Sequence, residues 1–410
     1  MTVAVIITIC LLILLAYVFD ITASKTRIPS IILLLLLGFG LKQITDLAGY
    51  PLPNLQPILP ILGTIGLILI VLEGSLELDI DRSKLKFVGI TFLVALLPML
   101  VMAFGLAYSF FYAFDYSLKY SLTNAIPLCI ISSAIAIPSA RYLIAKDKEF
   151  VTYESSLSDI IGVIFFNFIT LNDYIGTSSF GFFFLELLVM FIVSFLATMA
   201  LSFLIAKIRH HFKFVPIIIL VVLIYTVSKM FHLPALIFIL LFGLVLQNLD
   251  KLKGFHFIQI LNPDILDLEV KKFMEITTEF SFLIRALFFL LFGFLIQFED
   301  LINIETLPWA GGIVISIFII RAIFLKVFKL RITPLLFIAP RGLITILLFL
   351  SIPVNQKMLI VNNALLIQVI VICAIIMMFG LMFSKNTEDE NLIKIDDEND
   401  REKDKIFDMA

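Results

Sequence analysis

Long apolar runs recur from one end of the chain to the other, separated by short segments of proline, glycine and charged residues. Each run has roughly 20 residues, the length at which a helix crosses the hydrocarbon core while satisfying its own backbone hydrogen bonds. The pattern predicts an all-α polytopic membrane protein with about 13 transmembrane helices. We place them at 2–20, 27–45, 57–78, 87–114, 121–144, 151–173, 180–207, 214–230, 233–249, 275–297, 307–327, 332–352 and 360–383.

The composition excludes a soluble globular protein. The chain is 61% apolar and only 15% charged, whereas soluble domains average roughly 45–50% apolar and about 25% charged residues. The cysteines show no paired spacing, and the histidines sit at or beyond the predicted span ends, so neither a cofactor nor a metal centre is expected. The formal net charge of −2 gives no reason to expect a nucleic-acid partner.

Basic residues between the predicted helices indicate the orientation of the chain. Cytoplasmic loops carry an excess of lysine and arginine, and alternate loops carry it here. The N-terminus is therefore predicted outside and the C-terminus in the cytoplasm, where 384–410 forms an acidic disordered tail. The basic loops contain Lys25, Arg27, Arg82, Lys84, Lys86, Arg141, Lys146, Lys148, Lys207, Arg209, Lys213, Lys251, Lys253, Lys271, Lys272, Lys326, Lys329 and Arg331.

An odd helix count with termini on opposite sides fits two six-helix halves of inverted orientation joined by a seventh helix. This plan is common among secondary transporters. The sequence contains no clear internal repeat, so the pairing of helices 4–6 with helices 11–13 follows from topology alone. The segment 250–272 is predicted to be a connecting loop.

The sixth predicted helix carries two carboxylates that face different ways. Charges inside the membrane cost about 2.5–3.5 kcal/mol each at the bilayer centre, so each one is a functional hypothesis. Ser155 and Asp159 are four residues apart and share a face, which suits a small cation that needs oxygen ligands. Glu154 points roughly 140° away from Asp159 and suits an ion pair with Arg321. The alternative for Asp159 is a carboxyl that is simply protonated or paired.

Two further charged residues leave alternatives open. Glu73 is either a second carboxylate ligand of a cation or an interfacial charge beside Glu77. Arg341 follows Pro340, and this predicts either an interrupted helix that lines a cavity or a plain proline kink.

The fifth predicted helix contains a comparable break signal. Ser132 and Ser133 could mark an unwound stretch whose carbonyls face a cation, or they could be small residues for helix packing. Two partners are open for Arg285: Glu279, or a residue in the core of the protein.

Five segments together resemble the sodium/proton exchangers of the monovalent cation:proton antiporter superfamily. The sixth-helix ESSLSD is similar to the ESLLND signature of that family, and LILIVLEGSLELDI resembles its third-helix FEGGLELDL segment. The segments FIIRAIFLKV, APRGLI and FFLLFGFLI are similar to its arginine helix, its P-R-G segment and its FFxxxG helix. The resemblance covers nearly the whole chain.

This resemblance implies a secondary transporter that exchanges Na⁺, Li⁺ or K⁺ for H⁺ by alternating access, without enzymatic activity. It implies a homodimer in a bacterial inner membrane, with a transmembrane domain over 1–383. The dimerisation part would comprise 1–80 and 180–297, and a core with crossed, interrupted helices would comprise 87–173 and 307–383. Cation and proton would compete for one carboxylate, and the implied binding residues are Asp159, Ser155, Glu73, Ser158, Ser132 and Ser133.

The chain departs from the family pattern at two positions. Ser158 replaces the signature asparagine, and the fifth-helix Thr-Asp-Pro falls near Ser132 and Ser133, where acid and proline are lost. One carboxylate in place of an Asp-Asp pair predicts electroneutral exchange. The rivals are a potassium/proton exchanger, a non-exchanging cation conductor and a sensor that kept the fold. An enzyme would need a catalytic constellation, and the sequence contains none.

Overall fold

The computed structural model describes residues 2–26, 28–49, 55–78, 84–141, 143–172, 177–207, 214–231, 233, 235–248 and 263–384, and within these ranges the regular structure is entirely helical. The predicted connecting loop up to 262 and the predicted tail beyond 384 lie outside the described residues. The α-helices are α1 (Thr2–Thr26), α2 (Ser30–Leu47), α3 (Ile58–Leu76), α4 (Leu85–Phe114), α5 (Leu118–Cys129), α6 (Ser133–Ser139), α7 (Ala145–Leu171), α8 (Thr177–Lys207), α9 (Phe214–Met230), α10 (Leu236–Gln247), α11 (Pro263–Leu295), α12 (Phe298–Leu301), α13 (Leu307–Val327), α14 (Leu343–Leu350) and α15 (Asn363–Phe383).

The predicted all-α membrane fold is confirmed. Within the described residues, nine helical segments are long and apolar enough to span a membrane, with α5 and α6 taken together as one. Three shorter apolar helices, Cys10–Thr22, Phe214–Met230 and Leu236–Gln247, fall at predicted spans. The count of thirteen stays a prediction.

Two helices begin well before their predicted first residues. The structure starts α7 at Ala145 rather than 151 and α11 at Pro263 rather than 275. Both added stretches are rich in Lys, Asp and Glu. A span predicted from hydropathy ends where charged residues begin. Lys and Glu are nevertheless good helix formers, so the helix itself continues into the polar region.

One group of helices, which we call the first bundle, consists of α1–α3 and α8–α11. At its centre α11 packs on α2 and α3, and α10 packs on α3 and α8. Glycines permit very close approach there, because a Cβ on Gly38 would fall on the carbonyl oxygen of Leu290 and one on Gly243 would overlap the Ser75 hydroxyl. Such small residues let helix backbones meet in a membrane, where apolar burial alone gives no driving force.

The second bundle consists of α4–α7 and α13–α15 and contains two interrupted segments. The chain leaves helical geometry between α5 and α6, at Ile130 to Ser132, and again before α14, at Ile338 to Gly342. The two breaks meet, because the Ser132 N–H donates to the Pro340 carbonyl at 3.0 Å. The crossed, interrupted helices that the resemblance implies are therefore present, and irregular backbone at this depth is tolerated because it is buried in protein.

Helix α3 belongs to the first bundle and also contacts the second. It packs most extensively on α10 and α11, but its other side contacts α6, α7 and α14. A Cβ on Gly63 would lie 2.7 Å from Leu347 Cδ2, and one on Gly66 would lie 3.3 Å from Leu343 Cδ1. A glycine-lined face of α3 thus rests on the half-helix that follows the second break.

Candidate cation-binding site

Asp159 lies on α7 beside the break between α5 and α6, and only 1% of its surface is exposed. Its Oδ2 accepts a hydrogen bond from the Ser133 backbone N–H at 3.2 Å and another from the Ser133 hydroxyl. Ser133 is the first residue of α6, and the break leaves its N–H without an intrahelical acceptor. Asp159 Oδ1 has no hydrogen-bond partner among the described residues. The carboxylate therefore presents one held oxygen and one open oxygen.

The same break supplies further oxygen atoms. The buried Ser132 Oγ has no hydrogen-bond partner in the described part of the chain. It faces the second break, since a Cβ on Gly342 would lie 3.1 Å from it. Ser158 Oγ accepts from the Ile131 N–H at 3.0 Å and so fixes the unwound backbone to α7. An orphaned buried oxygen is costly unless a ligand or water occupies the space beside it.

Ser155 lies one turn before Asp159 on α7, as its spacing predicts. Its hydroxyl donates to the Val151 carbonyl at 2.7 Å, which is a bond within the helix. Because the hydroxyl acts as donor in this bond, both lone pairs of its oxygen remain available to a ligand. The hydroxyl hydrogen bond to Asp159 comes instead from Ser133, 26 residues earlier.

Arg341 extends from the second break to the end of α5. Its guanidinium donates to the carbonyls of Leu128 at 2.8 Å, Ala339 at 2.9 Å and Cys129 at 3.3 Å. Two of these carbonyls belong to the last residues of α5, which lack intrahelical donors. No carboxylate of the described residues forms an ion pair with Arg341, and the groups that its guanidinium contacts are backbone carbonyls.

Glu154 and Arg321 form a bidentate ion pair. The two nitrogen–oxygen distances are 2.7 and 2.8 Å, and both side chains are buried. Arg321 Nε also donates to the Leu335 carbonyl at 2.8 Å, just before the second break. One guanidinium therefore joins α7, α13 and the interrupted segment, while Glu154 points away from Asp159 as its spacing predicts.

Glu73 is buried, with 2% of its surface exposed, and belongs to a separate cluster. Its Oε2 accepts from the Ser281 hydroxyl at 2.6 Å and lies 3.6 Å from Arg285 Nη1. Its Oε1 lies 3.5 Å from Arg141 Nη2. Arg285 thus pairs with Glu73, and the exposed Glu279 is not its partner.

Sequence reasoning missed the roles of Arg141 and Asp20 in this cluster. Arg141 also contacts Asp20 on α1, with 3.3 Å between Nη1 and Oδ2. Arg141 counted only as a basic loop residue, and Asp20 ended the first predicted span. The one available signal was an acidic residue at the end of an apolar run, which any interfacial charge would also give.

The sequence matches the family of transmembrane sodium/hydrogen exchangers over residues 10–386. The chain therefore belongs to the sodium/hydrogen exchanger family, whose members are integral membrane transporters of the antiporter type.

Solved structures with the same fold include two of the sodium proton antiporter MjNhaP1 from Methanocaldococcus jannaschii. The structure at pH 8 gives a TM-score of 0.66 at 17% identity and covers 93% of this chain and 96% of that chain. An electron-microscopy structure gives a TM-score of 0.68 at 17% identity and covers 93% and 94%. At this identity the likeness shows the fold alone. Comparison with curated proteins finds no match.

Proposed function

We propose that this protein exchanges sodium for protons, with Asp159 as the single carboxylate that binds either one. The observation that carries the proposal is the arrangement at Asp159, a buried carboxylate with one oxygen held by Ser133 and the other open. A proton or a Na⁺ ion would bind to the open oxygen, Asp159 Oδ1. Ser132 and Ser155 are the further oxygen ligands that the geometry favours, because hard cations prefer oxygen.

Competition for one carboxylate couples the two fluxes. A site that crosses the membrane only when loaded carries a proton one way and a cation the other way. The proton-bound and the cation-bound site then carry the same net charge. Glu154 and Arg321 neutralise each other in both states, and the charge of Arg341 is the same in both. Exchange is therefore one for one and electroneutral.

Sodium is proposed as the cation because the family description and the name of MjNhaP1 both specify sodium. Serine and carboxylate oxygens alone also accept Li⁺ or K⁺, so these ions belong in every assay.

Movement of one bundle past the other would expose the site to alternate sides. We assign the first bundle to dimerisation and the second bundle to the moving core, with the broken helices at the centre of the core. The excess of basic residues in alternate loops supports a cytoplasmic C-terminus. The membrane we propose is a bacterial inner membrane.

The test uses sealed proteoliposomes that contain a pH-sensitive dye, to which Na⁺, Li⁺ or K⁺ is added outside. The wild type should show cation-dependent proton movement, and Asp159→Asn should abolish it. Asp147→Asn is the matched control, because Asp147 is a buried carboxylate on the same helix whose partner is Arg331, at 2.9 Å. Full exchange by Asp159→Asn, or none by the wild type with any ion, would refute the proposal.

A further inference from the structure

Ion pairs between the two bundles concentrate at the end of the molecule where α3 ends and α7 begins. Arg141, between α6 and α7, contacts Asp20 of α1 at 3.3 Å and Glu73 of α3 at 3.5 Å. Lys148, on the first turn of α7, contacts Glu77 beyond α3 at 3.3 Å. In each case a cation of the second bundle meets a carboxylate of the first.

Contacts within the first bundle fix the positions of two of these carboxylates, Glu73 and Asp20. Glu73 is fixed by the Ser281 hydroxyl at 2.6 Å and faces Arg285 at 3.6 Å, and both partners lie on α11. Asp20 accepts a hydrogen bond from the Ser30 hydroxyl at 3.1 Å. The carboxylates therefore remain placed whether or not Arg141 is beside them.

Exposure separates the Arg141–Asp20 pair, which joins the two bundles, from the Arg285–Glu73 pair within the first bundle. In the pair of Arg141 with Asp20, the side chains are 30% and 22% exposed, whereas Arg285 and Glu73 are 4% and 3% exposed. Water can solvate the charges of the first pair after separation, so that pair can open and close at low cost. Separation of the buried pair would leave uncompensated charges, so that pair is permanent.

The surface of α3 beside these ion pairs has small residues, and this favours movement of the second bundle along it. Gly74 on α3 faces Ile137 of α6 and Ser156 of α7, and a Cβ there would lie 3.1 Å from Ile137 Cδ1 and 3.3 Å from Ser156 Oγ. Together with Gly63 and Gly66, it gives α3 three glycines where this helix contacts α6, α7 and α14 of the second bundle. We call this contact of α3 with α6, α7 and α14 the seam.

We propose that Arg141 and Lys148 form a latch that closes the seam on the proposed cytoplasmic side and opens in every transport cycle. Glu73 is the docking partner of Arg141 in this latch, and its carboxylate holds the closed state rather than the transported cation. This inference rests on the proposed exchange by movement of the second bundle. The nitrogen–oxygen distances in these pairs are already 3.3–3.5 Å. A displacement of the second bundle by several ångströms along α3 would therefore separate the charges.

The primary test cross-links the latch. Glu77→Cys and Lys148→Cys are introduced with exposed Cys10 replaced by Ala, and a bifunctional methanethiosulfonate reagent joins the two thiols. The matched control is Lys84→Cys with Glu149→Cys, a pair within the second bundle. Its side chains are 34% and 28% exposed, comparable with 38% and 25% for Lys148 and Glu77.

Cross-linking at 77 and 148 should stop nearly all exchange, and reduction should restore it, while the cross-linked control should keep exchanging. Exchange that persists in the cross-linked 77/148 pair would overturn the latch but leave the proposed function intact.

A second measurement needs no transport and therefore distinguishes failure of the latch from failure of the exchange proposal. Ser156→Cys places a thiol inside the seam, where a small aqueous thiol reagent reaches it only when the seam opens. Arg141→Gln should raise the labelling rate about fivefold, the factor that corresponds to loss of ~1 kcal/mol from an exposed ion pair. Arg331→Gln, which breaks a pair within the second bundle, should leave the rate unchanged.

Equal labelling in both arginine variants, or no labelling in any variant, would contradict a latch that opens. Exposed Cys10 is replaced by Ala in these variants too, and the same protein without Ser156→Cys corrects for reaction at the buried Cys129 and Cys373.

Discussion

Loss of the charge of Glu154 should destabilise the protein strongly, because Arg321 would then be buried without a counter-ion. The side chains of the pair are 1% and 5% exposed, and both nitrogen–oxygen distances are below 3 Å. Breaking such a buried pair costs about 3–5 kcal/mol. Glu154→Gln preserves the volume and one possible acceptor, so we expect a loss of about 3 kcal/mol in the free energy of unfolding, at the low end of that range.

The assay is equilibrium unfolding in mixed micelles with increasing denaturing detergent. Glu149→Gln is the control, because its pair with Lys84 is partly exposed and such pairs contribute at most about 1 kcal/mol. Replacement of both partners by apolar residues, Glu154→Leu with Arg321→Met, should cost less than Glu154→Gln alone. A loss in Glu154→Gln no larger than in the control, or a double variant less stable than the single one, would refute this reasoning.

Three further predictions concern the site and the packing. Ser133→Ala removes a hydroxyl donor to the Asp159 carboxylate, and exchange should slow roughly 10- to 100-fold, since hydrogen bonds to charged groups contribute about 1.5–3 kcal/mol. Ser158→Asp adds a second carboxylate, and exchange by this variant should respond to an imposed membrane potential, whereas we expect exchange by the wild type not to respond. Gly243→Ala would overlap a serine of α3, and it should lower the free energy of unfolding by about 1–3 kcal/mol.

Matched variants decide the outcomes for Ser133→Ala and Gly243→Ala, and the wild type decides the outcome for Ser158→Asp. Ser139→Ala changes a buried serine of the same half-helix that bonds only the Ile135 carbonyl, and exchange should persist. Gly105→Ala meets open space inside α4 and should not lower the free energy of unfolding, since alanine is the better helix former. Equal effects within either pair would contradict the structural reason given. A wild type driven by membrane potential would contradict one-for-one exchange.

The fold was largely predictable because apolar runs and proline or glycine breaks depend on local sequence. The interruption before Arg341 could be anticipated, since Pro340 and Gly342 free backbone groups that a membrane helix must satisfy elsewhere. The interruption at Ser132 contains neither proline nor glycine, and its two serines fit helix packing equally well. The first residues of α7 and α11 could not be anticipated from hydropathy, because charged residues continue a helix as readily as apolar ones.

Contacts between distant residues were less predictable than contacts along one helix. The opposite directions of Glu154 and Asp159 follow from helical spacing. The hydrogen bond from Ser133 to Asp159 depends on how two helices cross, and spacing alone favoured the nearer Ser155. The pairing of Glu73 with Arg285 joins residues more than 200 positions apart, and no local pattern indicates it.

The most direct test of the central claim is proton release on cation binding, measured in weakly buffered detergent solution without any transport. Addition of Na⁺ to the wild type should release protons in proportion to the cation bound, and Asp159→Asn should release none. Asp147→Asn should behave as the wild type does. Sodium binding without proton release by the wild type, or release that persists in Asp159→Asn, would contradict the claim that one carboxylate serves both ions.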